Sequence, residues 1–309
     1  MQRNLIWSVK KRFPALEKNL SVDIAIIGGG ITGISSAYYL NEAGYDAAVI
    51  EQDEVGSAAS GASSGILYYG CGTNFLEAID LFGKNNSNYL WSESEKTIAS
   101  IKELTEKNNL DAGFRNPGAI MAAKTDEESH ALEKEHESLK GIGIDSELYS
   151  ASDIKKFYSG REFLSGLHFP ECSQIHPAVF CASLAECFNL NVFENTKFLS
   201  LEKSGDEVLI KTEKAQLKAK KAIFCTNLNQ INYYYPENFA VDLQWGDSWS
   251  KSKDWLPIVG EADENAYVAV AMGDQGVVMG FTAARKIQKL IEGKDDEFLQ
   301  LTSCGRFKK

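Results

Sequence analysis

Hydrophobic positions change their period at a few points along the chain, and those points mark its elements. Val22, Ile24, Ile26 and Ile27 form a nearly continuous β-branched run, the pattern of a strand buried on both faces. Gly28-Gly29-Gly30-Ile31-Thr32-Gly33 follows at once, and then Ile34, Ala37, Tyr38 and Leu40 recur at helical spacing as far as Gly44. Ala47-Ala48-Val49-Ile50 reads as a second strand that ends at Glu51. The result is a β-α-β unit with a glycine-rich first turn.

Further on, the spacing predicts helix from Phe75 to about Leu110, a strand region over 113–123 with a turn at Pro117-Gly118, and a charged helix from Thr125 to about Lys140. The charge run of that last helix reads as a solvated face. Ile175-His176-Pro177 precedes a helix from Ala178 to about Asn189. Strand-like pieces follow at 191–194, 207–212, 222–226 and 267–271, and Gly273-Asp274-Gln275-Gly276 leads into a helix from Val277 to Ile291. No repeat has a solenoid or propeller period.

The turn at 28–33 satisfies G-x-G-x-x-G with a strand before it, a helix after it and an acid at the end of the next strand. Each glycine has a physical reason: Gly28 for the tight turn, Gly30 for close approach of backbone amides to a pyrophosphate, and Gly33 for helix–strand packing. The helix N-terminus adds partial positive charge. Glu51 stands where a carboxylate accepts hydrogen bonds from ribose hydroxyls. The small-residue stretch 56–65 lets backbone approach a ligand closely, or else forms a flexible linker. The turn alone does not separate FAD from NAD.

Composition narrows the picture. The 309 residues carry a net charge of −11, enough chain for about two domains and a full core. The acidic balance argues against nucleic acid and against an anionic membrane surface as partners. Six cysteines, at 71, 172, 181, 187, 225 and 304, include no C-x-x-C pair, which points to reduced thiols and a cytoplasmic setting. The first twenty residues lack the apolar core of a secretory signal, and no apolar run reaches the roughly 20 residues of a membrane span.

The chain resembles the FAD-dependent oxidoreductases of the D-amino acid oxidase type, which include glycine oxidase, sarcosine oxidase and gamma-glutamylputrescine oxidase-like proteins. The resemblance is carried by Asn4-Leu5-Ile6-Trp7, Phe13-Pro14-Ala15-Leu16, the stretches 22–40 and 49–65, Ile175-His176-Pro177, Ala222 to Asn227, Asp254 to Gly260, and Tyr267 to Leu290. It implies FAD as cofactor, with contacts from Gly28, Gly30, Ile31, Thr32, Gly33, Glu51, Gln52, Ser60, Gly61, Ser64, Gly65, Thr226, Gly273, Gln275, Gly276 and Val277. The implied fold is α/β: a Rossmann-like FAD-binding domain from 1–75, 150–228 and 254–309, with 76–149 and 229–253 forming a reduced α+β substrate domain. The implied activity is oxidation of an amine or amino acid C–N bond by hydride transfer to flavin N5, with oxygen as the expected electron acceptor.

The resemblance breaks in three places. Ala62-Ser63-Ser64 replaces a frequent Arg-Asn pattern, Asp274 puts an acid in the C-terminal glycine turn, and 229–253 is too short for several strands and their turns. That shortening keeps open a second reading, a catalytically impaired FAD-binding remnant; an NAD-dependent dehydrogenase would leave the C-terminal signature unexplained. No residue is assigned a catalytic role. Lys251 and Lys253 read as surface lysines, His176 as a structural residue, Cys71 as a small buried thiol, and Tyr233-Tyr234-Tyr235 as a pocket roof or core. His130 and His136 are six residues apart, so no metal site is expected from them.

Overall fold

The computed structural model describes residues 9–158, 162–226 and 250–307. The leader motif at 4–7, Asn227, the tyrosines at 233–235 and most of the short segment 229–253 lie outside the described residues. The first unit is β1 (Leu20–Ile27), α1 (Ile31–Glu42) and β2 (Ala47–Ile50). Next come α2 (Ala59–Ala62), β3 (Ile66–Leu67), α3 (Phe75–Phe82), α4 (Lys84–Lys107), β4 (Ala119–Ala123), α5 (Asp126–Lys140), β5 (Glu147–Ser150), α6 (Ala151–Ile154), β6 (Ser165–Phe169) and β7 (Ser173–Gln174). The chain continues with α7 (Pro177–Cys187), β8 (Asn191–Phe193), β9 (Ser200–Ser204), β10 (Glu207–Lys211), β11 (Gln216–Phe224), β12 (Ile258–Asp263), β13 (Ala266–Val270), α8 (Gly276–Ile291) and α9 (Glu297–Thr302).

Among the described residues the large sheet runs β12-β13-β11-β1-β2-β8, with the hairpin β9–β10 added to β11. The strands β8, β2, β1, β11 and β13 are mutually parallel, and β12 is antiparallel at the edge. Apolar side chains fill both faces. Ile24 and Ile26 enter one core cluster with α1, α7 and α8, while Ala25 and Ile27 enter a second with the hairpin strands. This two-sided burial is why β1 reads as a continuous apolar run.

Two elements differ from their sequence patterns for local reasons. The single helix expected over 75–110 is two helices, α3 and α4, because Gly83 turns the chain with φ of +80°. The strand expected at 222–226 begins at Gln216. Its first half alternates, with Leu217 and Ala219 buried and Lys218 and Lys220 exposed, and only its second half is a continuous apolar run.

A second sheet, β4-β6-β5, is antiparallel, and α5 and α6 pack on it. Its strand β6 falls in the segment 150–228 that the sequence groups with the nucleotide-binding part. The short helix α6 reverses the chain directly after β5, so β6 returns alongside β5 rather than joining the large sheet.

Helix α8 is fixed by a buried ionic cluster. Lys286, 3% exposed, places Nζ 2.8 Å from Glu93, 2.9 Å from Asp296 and 3.0 Å from the Tyr89 hydroxyl. Arg285 adds a contact to Glu93 and Lys289 one to Asp296, so α4, α8 and the start of α9 are tied together. Burial raises the Asp296 carboxyl, but hydrogen bonds from Lys289 and Lys286 outweigh it and hold the group at about 2, below its usual 3.8. Lys286→Met leaves two buried carboxylates short of their cation and is expected to lower stability by about 3–5 kcal/mol in urea unfolding. A depressed carboxyl stabilises above its unfolded pKa. The Asp296 contribution should therefore be complete above pH 3.8 and disappear as pH falls through about 2, measurable as acid unfolding.

Candidate cofactor-binding site

The order of the large sheet creates a crevice. From β1 the chain moves through α1 to β2 on one side, whereas β11 and β13 lie on the other. Beyond the carboxyl ends of β1 and β11, neighbouring connections therefore diverge, which is where open parallel sheets bind ligands.

The glycine turn is built by steric exclusion. At Gly33 a Cβ would lie 1.8 Å from the Gly28 carbonyl oxygen, so only glycine lets α1 seat against the end of β1. Gly28 has φ of +112°, and a Cβ there would meet the Cys225 carbonyl oxygen at 2.6 Å. Around Gly30 there is more room: its Cβ would be 3.2 Å from Ser60 Oγ. That hydroxyl accepts a 3.0 Å hydrogen bond from the Ile31 amide, which places α2 across the start of α1. Glu51 Oε2 accepts from the Gly29 amide at 2.7 Å and Oε1 from Asp53 at 3.0 Å. Burial pushes the Glu51 carboxyl up, and these backbone bonds offset that only in part.

The stretch 56–65 is held in place rather than serving as a linker. A Cβ on Gly56 would lie 2.7 Å from Ala178 Cα. Gly65, with φ of +73°, accepts a hydrogen bond from the Ile175 amide, and a Cβ there would be 2.0 Å from the Ile175 carbonyl oxygen. Ile175-His176-Pro177 thereby anchors the loop: His176 is the N-cap residue of α7 and its ring lies against Gly113.

Helix α8 begins at the same end of the sheet as α1. The two pack closely at Gly280, where a Cβ would be 2.6 Å from Thr32 Oγ1. Neither N-cap residue, Gly30 or Gln275, caps its helix with its own side chain, and neither first turn carries an acid. Two sets of helix-end amides and dipoles therefore sit in one region, an arrangement that favours an anionic ligand.

The structure groups some predicted residues closely and others not. Gly28, Gly30, Ile31, Glu51 and Ser60 are connected directly or through Gly29, and Thr226 joins them through its methyl group near Gly28. The Thr226 hydroxyl oxygen is buried without a hydrogen-bond partner among the described residues. Gly61 is buried beside Ser60, and Gly273 and Gly276 flank the start of α8. Thr32 and Val277 are buried, with Thr32 turned towards α8, so their side chains serve packing. Gln52 is exposed, and Ser64 is exposed with its carbonyl accepting from Gln174.

Sequence reasoning missed Gly29, whose amide holds Glu51, and the Cys225 carbonyl under Gly28. It also missed Gly70 and Gly72, whose Cβ atoms would meet Trp91 at 2.5 Å and Trp255 at 2.8 Å. The G-x-G spacing at 70–72 was the available signal. Asp274 is exposed, its Oδ1 3.0 Å from where a Gly72 Cβ would stand. Lys253 is exposed, while Lys251 covers the Trp255 ring. Cys71 is buried, and burial with help from Asp274 and Asp254 pushes its thiol up to about 12. Among the described residues no group of His, Cys, Asp or Glu gathers as for a metal ion, and no helix is long and apolar enough to cross a membrane.

This sheet and crevice define a doubly wound α/β fold of the dinucleotide-binding kind. Residues 23–231 match the family described as FAD dependent oxidoreductase (DAO), and the chain belongs to that family. It is 29% identical over 220 residues to the probable oxidoreductase OrdL of Haemophilus influenzae and 28% identical over 223 residues to the gamma-glutamylputrescine oxidoreductase of Escherichia coli, each match covering 70% of this chain and 51% of the relative. The chain thus spans about half the length of the curated relatives it matches. A crystal structure of glycine oxidase from Geobacillus kaustophilus superposes with a TM-score of 0.77 at 16% identity, covering 93% of this chain and 99% of that one.

The residues present fit the family's cofactor, FAD: glycines exclude side chains from the turn, Glu51 stands beside it, and the buried Thr226 hydroxyl has no partner among the described residues. Gly30→Val, which forces branched bulk against Ser60 while sparing the β1–α1 contact, is expected to weaken FAD binding by tenfold or more, about 1.4 kcal/mol. Fluorescence titration of the chain with FAD checks this, with circular dichroism confirming the fold.

Proposed function

We propose that the chain is an FAD-dependent oxidoreductase that oxidises an amine or amino acid C–N bond. The observation that carries this reading is the crevice itself, where the Gly28–Gly33 turn, Glu51, Thr226 and the starts of α1 and α8 converge. The names of sequence relatives, a gamma-glutamylputrescine oxidoreductase and a glycine oxidase, support the substrate class.

In this reading the amides from Gly28 to Gly33 and those near Ser60 and Gly61 hold the pyrophosphate, with Ile31 and Thr32 contributing backbone. Glu51 accepts from ribose hydroxyls and Gln52 lies at the open side. Ser64, Gly65, Thr226 and the turn Gly273-Asp274-Gln275-Gly276-Val277 border the flavin. When bound, FAD supplies a hydride acceptor at N5. The protein contributes orientation and a partly dry, polar-amide environment. The large sheet and its helices form the cofactor domain, the β4-β6-β5 sheet belongs to the substrate side, and oxygen is the electron acceptor.

The short segment 229–253 favours one alternative, a catalytically impaired FAD-binding remnant. The visible spectrum of the purified chain, followed by anaerobic addition of a panel of amines and amino acids, separates the two. Turnover predicts flavin bands near their usual positions that bleach with at least one substrate. Bands that persist throughout the panel support the remnant, and a chain that takes up no FAD overturns both.

A further inference from the structure

Two backbone positions on the segments leading to the Gly273 turn are strained. Asparagine, which tolerates a left-handed backbone, occupies four of the positive-φ positions among the described residues: 109, 189, 195 and 265. The other two non-glycine cases are Trp255, at +65°, and Ala271, at +59°. Both lie on the segments that border Gly72 and Gly273. Such conformations cost about 1–3 kcal/mol each and persist only where surrounding contacts over-determine them.

Those contacts are present at Trp255. Arg306 donates to both carboxylate oxygens of Asp254, Nε to Oδ2 at 2.8 Å and Nη2 to Oδ1 at 3.0 Å, and Nη2 also reaches the Leu256 carbonyl at 2.9 Å. Its Nη1 bonds the Thr302 and Ser303 carbonyls, which anchors the fork to the end of α9. Ser252 Oγ closes the loop from inside, bonding Asp254 at 2.6 Å and the Leu256 carbonyl at 2.7 Å. The indole between these clamps lies against Gly72, and Lys251 Nζ sits 3.3 Å from its ring centroid. Its backbone carbonyl is 3.9 Å from where a Gly273 Cβ would be. A packing role alone would not require a strained tryptophan with both flanking residues tied by a planar, bidentate arginine.

We infer that Trp255 is a positioning residue of the cofactor site: the Asp254–Arg306 pair fixes its backbone so that the indole packs on Gly72 while the Trp255 carbonyl stands beside Gly273, holding that glycine turn where the flavin is set. The inference rests on the FAD reading above and deepens it. Glycine at 72 leaves room for the indole, and the Lys251 ammonium holds the indole plane by a cation–π contact.

The test uses the full chain and FAD itself. Trp255→Gly relieves the backbone strain but removes the indole that packs on Gly72, so it is expected to keep the fold, weaken FAD binding about tenfold and shift the visible flavin bands. Trp255→Asn, which suits the same backbone, should do the same, and Trp255→Phe should restore most of the affinity. Arg306→Ala should shift the bands in the same direction and speed hydrogen exchange at 252–256. A merely structural residue would lower the melting temperature and leave affinity and spectrum unchanged. If the unsubstituted chain takes up FAD while both Trp255→Gly and Trp255→Asn match it in affinity and spectrum, the inference is overturned and the FAD reading stands. If the unsubstituted chain takes up no FAD, both fall together.

Discussion

The contact on which the rest of the site depends is between two pieces of backbone. Gly33 approaches the Gly28 carbonyl so closely that a methyl group would sit 1.8 Å from the oxygen. This lets α1 lie directly against the end of β1 and aims its amides into the crevice. Gly28 makes the matching approach to Cys225 at the end of β11. Once those two distances are set, the positions of Glu51, Ser60 and Thr226 follow from strands and loops that are already paired or anchored. The same demand recurs at Gly280, where α8 closes on Thr32 and brings a second helix N-terminus to the same place. The site is therefore a set of backbone approaches in which side chains are mostly excluded.

That is also why much of it was legible in the sequence. A position that excludes a side chain for steric reasons leaves glycine behind, and spacing between glycines reports the turn. The β-branched run of β1 and the acid ending β2 were readable for the same kind of reason: one strand buried on both faces and one carboxylate at a strand end. What stayed hidden depends on partners distant in sequence. Nothing local in Ser165-Gly166-Leu167-His168-Phe169 says that it pairs with β4 and β5 rather than with the large sheet. The alternating first half of β11 pairs with the β10 hairpin and looks unlike its apolar second half. Gly72 and Trp255 are 183 positions apart and meet only in the folded chain.

Electrostatics in the molecule divide by location. The Lys286 cluster is fully paired and ties three helices together behind the crevice. Glu194, fully buried, accepts from the Phe13 and Val55 amides and fastens the leading segment to the loop after β2. At the crevice itself Glu51 is half-buried with its carboxyl pushed up, the Thr226 hydroxyl has no partner among the described residues, and two helix starts lack acids. Paired charge supports the scaffold, and the crevice offers helix-end amides that a ligand would use.

The pairing of β1 with β11 has a consequence for how the chain is made. Leu20 lies opposite Leu217, so the central strand waits for a neighbour encoded about 200 residues later. At about 5–20 residues per second of synthesis, one edge of β1 stays open for roughly 10–40 s. During that interval a β-branched, apolar strand presents unpaired amides and carbonyls, a template for joining another nascent copy. The segments between them, α3 to α7 and the small sheet, can form from nearer neighbours in the meantime. Productive folding of this chain on the ribosome thus depends on shielding a single strand until the last third of the protein emerges.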